Sequence, residues 1–321
     1  MILAVQAIPC RIRRLRLPRS LFLPLGLGLI DRQVDVMALP ATDMDHASLI
    51  APPSHQRAEA PSPCSFRERV RSRYHAFWYH LGERVAWSRG IYRERPAQEL
   101  EDLSGVQYER ITSLQRRFRV RFEQHASQST ALRQYDYLDL LDQGWSALRL
   151  PRLAGGTVQD IGSSNFWYAP VLHTFFRPTA LIGVEVEGHR MYINGYSRHD
   201  YAKGYIQDLP NTEFHIQDYR RYSSPASIIT AWYPFVTPAP VLAWRLPLSL
   251  LAPHDLFAQV IRNLQPHGLF LMINHGRDEA SIAASWCRKV GLAHYGSCEL
   301  RSNVRPRLPP PVLSCWMRAP V

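Results

Sequence analysis

The residues that could do chemistry in this sequence gather around a short apolar segment at residues 157–161. Asp160 lies within that segment, and Gly162 follows it where the chain must turn. Glycine tolerates the backbone angles of a sharp turn, and backbone amides at a strand-to-helix turn can approach a ligand closely. Glu185 ends a second apolar segment, and a carboxylate there can accept hydrogen bonds from ribose hydroxyls. The spacing therefore predicts the nucleoside-binding half of a doubly wound sheet.

Further strands and helices alternate along the rest of the chain, as a doubly wound α/β sheet requires. Apolar or β-branched runs predict strands at 180–185, 213–218, 226–231, 269–274, 293–300 and 312–317. Helices are predicted at 197–209, 254–264 and 278–290, and a turn at 265–268. The run 269–274 is continuously apolar, which is typical of a strand buried on both faces.

This pattern resembles the class I S-adenosylmethionine-dependent methyltransferases, a Rossmann-like family whose first motif is an acid-x-Gly-x-Gly-x-Gly loop. Asp160, Gly162, Ser164 and Phe166 occupy the corresponding positions, so the glycine loop is divergent and only its first glycine is present. The family's second strand often reads Gly-Val-Glu, as residues 183–185 do. The resemblance implies a mainly parallel seven-stranded sheet closed by a C-terminal antiparallel hairpin.

The resemblance also implies a cofactor, S-adenosylmethionine, and a set of residues that bind it. Asp218 follows the third strand, where a polar or acidic residue would meet the adenine amino group, and Glu187 is the rival of Glu185 for the ribose. The implied cofactor-binding residues are Asp160, Gly162, Ser163, Ser164, Asn165, Glu185 and Asp218.

The expected activity is transfer of a methyl group to an acceptor that the sequence does not identify. Tyr233 and His275 follow predicted strands and are candidates for the catalytic base, although a structural role is commoner for each residue type in such positions. Because two of the three loop glycines are missing, a catalytically inactive binding or scaffold module remains the alternative function. A nicotinamide-dependent dehydrogenase is a third class, but residues 162–167 do not supply its Gly-x-Gly-x-x-Gly motif.

Composition limits the partners. The formal charge is +11, which keeps nucleic acid as an alternative partner, although such a partner requires the charge to be clustered on one face. The five cysteines form no Cys-x-x-Cys pair, so we expect no metal site and a cytoplasmic protein with reduced thiols. No apolar run is long enough to span a membrane, and the sequence does not indicate an oligomeric state.

Three regions are expected. Residues 1–64 are rich in proline and lack periodicity, which indicates a disordered or non-native extension. Residues 65–150 form a helical cap region with helices at 65–93, 106–126 and 130–148, and residues 151–321 form the Rossmann-like domain. The first helix carries an aromatic stripe that we expect to pack on the domain, with interleaved arginines for which RNA or an anionic membrane is the alternative partner.

Overall fold

A computed structural model describes residues 65–151 and 155–318, and within these ranges one sheet has the strand order β3-β2-β1-β4-β5-β7-β6. Its strands are β1 (Thr157–Ile161), β2 (Ala180–Glu185), β3 (Thr212–Ile216), β4 (Ala226–Trp232), β5 (Leu264–Asn274), β6 (Leu292–Glu299) and β7 (Val312–Arg318). β1 to β5 are parallel, and β7 pairs antiparallel with both β5 and β6. The predicted doubly wound seven-stranded sheet with its antiparallel hairpin is confirmed.

The helices of the described ranges both precede the sheet and connect its strands. They are α1 (Phe66–Val85), α2 (Gly105–Phe118), α3 (Gln128–Ala147), α4 (Ala169–Phe176), α5 (Arg198–Ile206), α6 (Pro238–Ala243), α7 (Pro253–Asn263) and α8 (Gly276–Lys289). The disordered or non-native extension predicted at 1–64 lies outside the described residues, so it stays a prediction.

Two apolar cores cover the two faces of the sheet. Leu138 of α3 and Leu172 of α4 belong to the core on one face. Phe257 of α7 and Cys287 of α8 belong to the core on the other. The strand order reverses between β1 and β4, because the chain builds outward to β3 and then returns to pair β4 with β1. Ligands of open α/β sheets bind at the carboxyl ends of the strands where the order reverses, so these ends are the place to look for a site.

Several predicted boundaries are wrong. The first helix ends at Val85 rather than 93, because Ala86 adopts a left-handed conformation (φ 45°). The second ends at Phe118, where Arg119 does the same (φ 54°). The predicted turn at 265–268 lies within β5, whose pairing with β4 is irregular there.

The orientation expected for α1 is also wrong. A capping box between Ser65 and Glu68 begins the helix, as its sequence favours. Its aromatic and aliphatic stripe, which includes Phe77 and Trp78, is exposed instead of packing on the domain. The helix therefore presents its polar side inward.

Candidate site at the carboxyl ends of the strands

Asp160 of β1 is fully buried and is held by hydroxyl groups from two neighbouring segments. The Oγ1 atom of Thr230 donates to its Oδ1 atom at 2.6 Å, and the Tyr168 hydroxyl donates to its Oδ2 atom at 2.7 Å. Burial raises the pKa of Asp160 to about 7, although these hydrogen bonds oppose the shift. The Ser163 hydroxyl donates to the Asp160 carbonyl at 2.9 Å. Asp160 therefore connects the residues that follow the turn after β1 to strand β4.

The turn after β1 keeps a glycine-like backbone although only one of its three left-handed residues is a glycine. Gly162, Ser164 and Phe166 have φ values of 69°, 55° and 54°, all in the left-handed region. That region costs a residue with a side chain roughly 1–2 kcal/mol. These are the three positions at which the resembled family has glycine, so the alternation of left-handed residues survives the substitutions. Gly162 is exposed, and no atom lies within 4 Å of where a Cβ would stand.

Phe166 fits the third glycine position because its side chain points away from the turn's outer surface. The ring is fully buried and lies against Gly183 of β2. A Cβ at Gly183 would meet three ring atoms at 2.7–2.9 Å. The absence of a side chain at Gly183 thus provides the space that Phe166 occupies.

Glu185, at the end of β2, is the candidate ribose acceptor, and it is largely occupied by the protein. Its Oε2 atom accepts from the Ser164 amide at 2.7 Å, and its Oε1 atom accepts from the Glu187 amide at 2.9 Å. The buried Arg198 guanidinium lies 3.3 Å from Glu185 and 3.1 Å from Glu187. A carboxylate offers about four acceptor positions, so Glu185 retains room for roughly one further donor.

Asp218, the candidate adenine contact, lies two residues beyond β3. The Nε atom of Arg220 donates to both of its carboxylate oxygens, at 3.0 and 2.9 Å. Burial alone would raise the pKa of Asp218, but the hydrogen bonds from Arg220 lower it below the usual value. Asp218 lines a surface depression together with Arg221, His254 and other residues of α7. Asp218 is therefore ionised and partly exposed.

Tyr233 and His275, the two candidates for the catalytic base, are stacked on each other. Their ring centroids are 3.9 Å apart, and the interplanar angle is 13°. Partial desolvation lowers the pKa of His275, although that residue is exposed, and burial raises the pKa of Tyr233 to about 12. At neutral pH the pair therefore consists of a neutral imidazole, which can accept a proton, and a protonated phenol, which can donate a hydrogen bond.

An aromatic group that was not included among the predicted site residues lies next to this pair. Tyr137 of α3 stacks on Trp232 of β4 at 3.9 Å, and Tyr168 lies 5.7 Å from the same indole. Arg307, from the segment between β6 and β7, pairs with the fully buried Asp136, and its guanidinium lies 6.0 Å from the Tyr137 ring. The available signal was the run of residues 135–137, whose alternating aromatic and acidic side chains are unusual for a core helix.

Four buried polar atoms at or after the ends of β1, β4 and β5 have no hydrogen-bond partner within the described part of the chain. They are Asn165 Oδ1, Trp232 Nε1, Tyr233 OH and Asn274 Oδ1. Asn165 follows β1, Trp232 and Tyr233 are at the end of β4, and Asn274 ends β5. A buried polar group without a partner costs roughly 1–3 kcal/mol. Since β1, β4 and β5 are neighbours in the sheet, these atoms belong to the same edge, the one at which ligands of open α/β sheets bind.

Two kinds of feature are absent from the described ranges, a metal-binding group and a membrane-spanning helix. No three His, Cys, Asp or Glu side chains there come together as a metal-binding group. Among the described helices, none combines the length and apolar character that crossing a bilayer requires. Cys287, Cys298 and Cys315 are buried free thiols.

Comparisons with known proteins give structural likeness only. No protein-family profile matches the chain, and no curated protein matches its sequence. An S-adenosylmethionine-dependent methyltransferase from Aquifex aeolicus is 14% identical over 58% of this chain and 96% of its own, with a TM-score of 0.41. A TehB-like S-adenosylmethionine-dependent methyltransferase from Corynebacterium glutamicum is 15% identical over 57% of this chain and 87% of its own (TM-score 0.38). A methyltransferase from Pyrococcus furiosus is 12% identical over 53% and 79% (TM-score 0.38). In strand order, the chain has the arrangement that its resemblance to the class I methyltransferases implies.

Proposed function

We propose that this chain is a cytoplasmic methyltransferase that binds S-adenosylmethionine at the carboxyl ends of β1 and β2 and methylates an acceptor near β4 and β5. The observation that carries the proposal is the group of unpartnered buried polar atoms on Asn165, Trp232, Tyr233 and Asn274. A folded chain has little reason to keep several such atoms at one edge unless a ligand satisfies them.

At the turn after β1, the backbone leaves room for the cofactor to approach closely. Gly162 is exposed with open space beside it, and Asn165 has a free acceptor oxygen. The residues that would hold the cofactor are Gly162, Ser163, Ser164, Asn165, Glu185 and Asp218, with Asp160 positioning the turn from beneath. Asn165 Oδ1 is suited to a donor such as an ammonium group.

The bound cofactor supplies an electrophilic methyl group, and the protein aligns the acceptor and takes its proton where one must be lost. Tyr233 OH can hydrogen-bond the acceptor atom, since it is buried and has no partner. His275 can accept a proton, since its lowered pKa keeps the imidazole neutral near pH 7. The aromatic faces of Tyr137 and Trp232 exclude water from the same place.

The alternative is a binding or scaffold module that has lost the cofactor. The contacts of Glu185 favour it, because two backbone amides and Arg198 already occupy most of its acceptor capacity. Calorimetric titration of the full chain with S-adenosylmethionine, S-adenosylhomocysteine and NAD separates the possibilities. The proposal expects binding of the first two only, whereas a folded protein that binds none of them would favour the scaffold.

A pair of variants tests the ribose assignment. Losing a hydrogen bond to a charged acceptor costs roughly 1.5–3 kcal/mol, so Glu185→Ala should weaken S-adenosylhomocysteine binding at least about tenfold. Glu187→Ala is the matched control, since it removes a second carboxylate from the same Arg198, and it should change affinity little. Glu185→Ala also leaves the Ser164 amide without its acceptor, so thermal unfolding must first show that both variants are folded. Near-wild-type affinity in both would remove Glu185 from the site.

A further inference from the structure

Helix α1 is bound to the domain through its polar side. The amide of Leu248 donates to the Ser72 hydroxyl at 2.8 Å. His75 is buried, and the Arg71 Nε atom donates to its ring at 3.3 Å. On the same side, the Tyr79 hydroxyl donates to Glu83 at 2.8 Å. The Leu248–Ser72 hydrogen bond and the burial of His75 settle which side of α1 faces inward.

The opposite side of α1 is a continuous apolar stripe that faces solvent. At 3.6 residues per turn, its members fall within roughly one third of the helix circumference. They are Phe66 (73% exposed), Val70 (52%), Tyr74 (58%), Phe77 (62%), Trp78 (53%), Leu81 (40%) and Val85 (58%). Scattered exposed apolar residues are ordinary, but a contiguous large patch marks an interaction surface.

Exposed arginines border the stripe on both sides. By helical spacing, Arg69 and Arg73 follow one border, and Arg67 and Arg71 follow the other in the first half of the helix. All four are exposed. Long basic side chains beside an apolar face can reach upward to anions while their stems cover apolar surface.

A second apolar element lies next to the end of α1. The Trp87 indole donates to the Gly195 carbonyl at 2.9 Å, which attaches the chain after α1 to the turn at 191–197. That turn presents Met191 (56% exposed) and Ile193 (99% exposed) to solvent. The exposed apolar surface therefore continues beyond the helix.

We propose that α1 is an in-plane membrane-binding helix that inserts its apolar stripe into the headgroup region of an anionic bilayer. Tyr and Trp within the stripe are the side chains that prefer the membrane interface. Arginines on both borders suit a flat layer of phosphates that extends to both sides of the helix, whereas an apolar protein groove would have to desolvate them. This docking role goes beyond the proposed methyl transfer and does not depend on it.

The test is co-sedimentation of the full chain with vesicles of phosphatidylcholine containing phosphatidylglycerol, compared with vesicles of phosphatidylcholine alone. We expect binding to the anionic vesicles that weakens as salt rises, and little binding to the neutral ones. Replacing both Phe77→Glu and Trp78→Glu should weaken binding at least about tenfold. Ile282→Glu is the matched control, since it alters an exposed apolar residue on α8 and should leave binding unchanged.

Four outcomes would overturn the proposal. They are failure of the folded wild-type chain to bind anionic vesicles, equal binding to neutral vesicles, unchanged binding by the Phe77/Trp78 variant, and equal loss in the Ile282 control. Sedimentation velocity identifies one rival: a dimer that the Phe77/Trp78 variant dissociates, without vesicle binding, would make a second copy the occupant. Binding of single-stranded RNA but not of vesicles would assign the arginines to nucleic acid.

Discussion

Gly183 provides a direct test of how the turn after β1 is built. A Cβ at this position would lie 2.7, 2.8 and 2.9 Å from three ring atoms of Phe166, closer than side chains tolerate. The ring has little room to move, because it is fully buried and lies 5.8 Å from the Tyr168 ring and 6.1 Å from the Phe214 ring. Overpacking of this kind costs about 1–3 kcal/mol, so Gly183→Ala should lower the free energy of unfolding by that amount.

A double-mutant cycle with Phe166→Leu isolates the contact. Leucine lacks part of the ring that a new Cβ would meet, so Gly183→Ala should cost little in that background, and the coupling energy should be about 1–3 kcal/mol. Urea unfolding followed by circular dichroism measures each corner of the cycle. Gly82→Ala is the control, because no atom lies within 4 Å of its Cβ position and it should stabilise α1 by about 0.5–1 kcal/mol. The same cost for Gly183→Ala in both backgrounds would show that Phe166 does not occupy this space.

The buried carboxyl of Asp160 should make the free energy of unfolding depend on pH, because its folded pKa of about 7 exceeds the unfolded value of about 3.9. The contribution of Asp160 to stability is therefore fully present below pH about 4 and is lost as pH rises to about 7. Urea unfolding from pH 4 to 7 should therefore show a shallower decline for Asp160→Asn than for the wild type, and identical slopes would refute the shift. Arg307→Met leaves the fully buried Asp136 without its guanidinium and should reduce stability by about 3 kcal/mol, seen as a lower melting temperature; an unchanged melting temperature would contradict the pair. Gly204→Ala places a Cβ 1.8 Å from the Tyr92 carbonyl oxygen, so limited proteolysis should cut the chain near Tyr92 faster than in the wild type; an unchanged rate would show that this packing is wrong.

The order of strands and helices could be predicted because it is encoded locally. Apolar runs such as 269–274 and breaks such as Gly162 mark strands and turns without reference to distant residues. The left-handed backbone at Ser164 and Phe166 could not be predicted, since both residue types disfavour it. The space that the Phe166 ring needs is provided by Gly183 on another strand. Only the pairing of β1 with β2 brings the two residues together.

The positions of the candidate site residues along the chain could be predicted from the sequence, but the contacts between these residues could not. Tyr233 and His275 each follow a strand, so the sequence could propose both, but only the pairing of β4 with β5 brings their rings together. Arg198 was not singled out, because its burial between Glu185 and Glu187 depends on the turn before α5. Single residues at strand ends can thus be read from a sequence, whereas the charges that surround them depend on tertiary structure.

Helix α1 shows where pattern alone misleads. Periodicity identifies its apolar face, and such a face ordinarily covers a core, but the pattern does not state what the helix will meet. The inward surface around His75 already contains Arg190 and Arg245, and burial together with these and other arginines lowers the pKa of His75. Turning the apolar stripe inward would bring its bordering arginines toward those like charges and would break the hydrogen bond at Ser72. The domain therefore favours the polar side of α1, and the apolar stripe is exposed as a result.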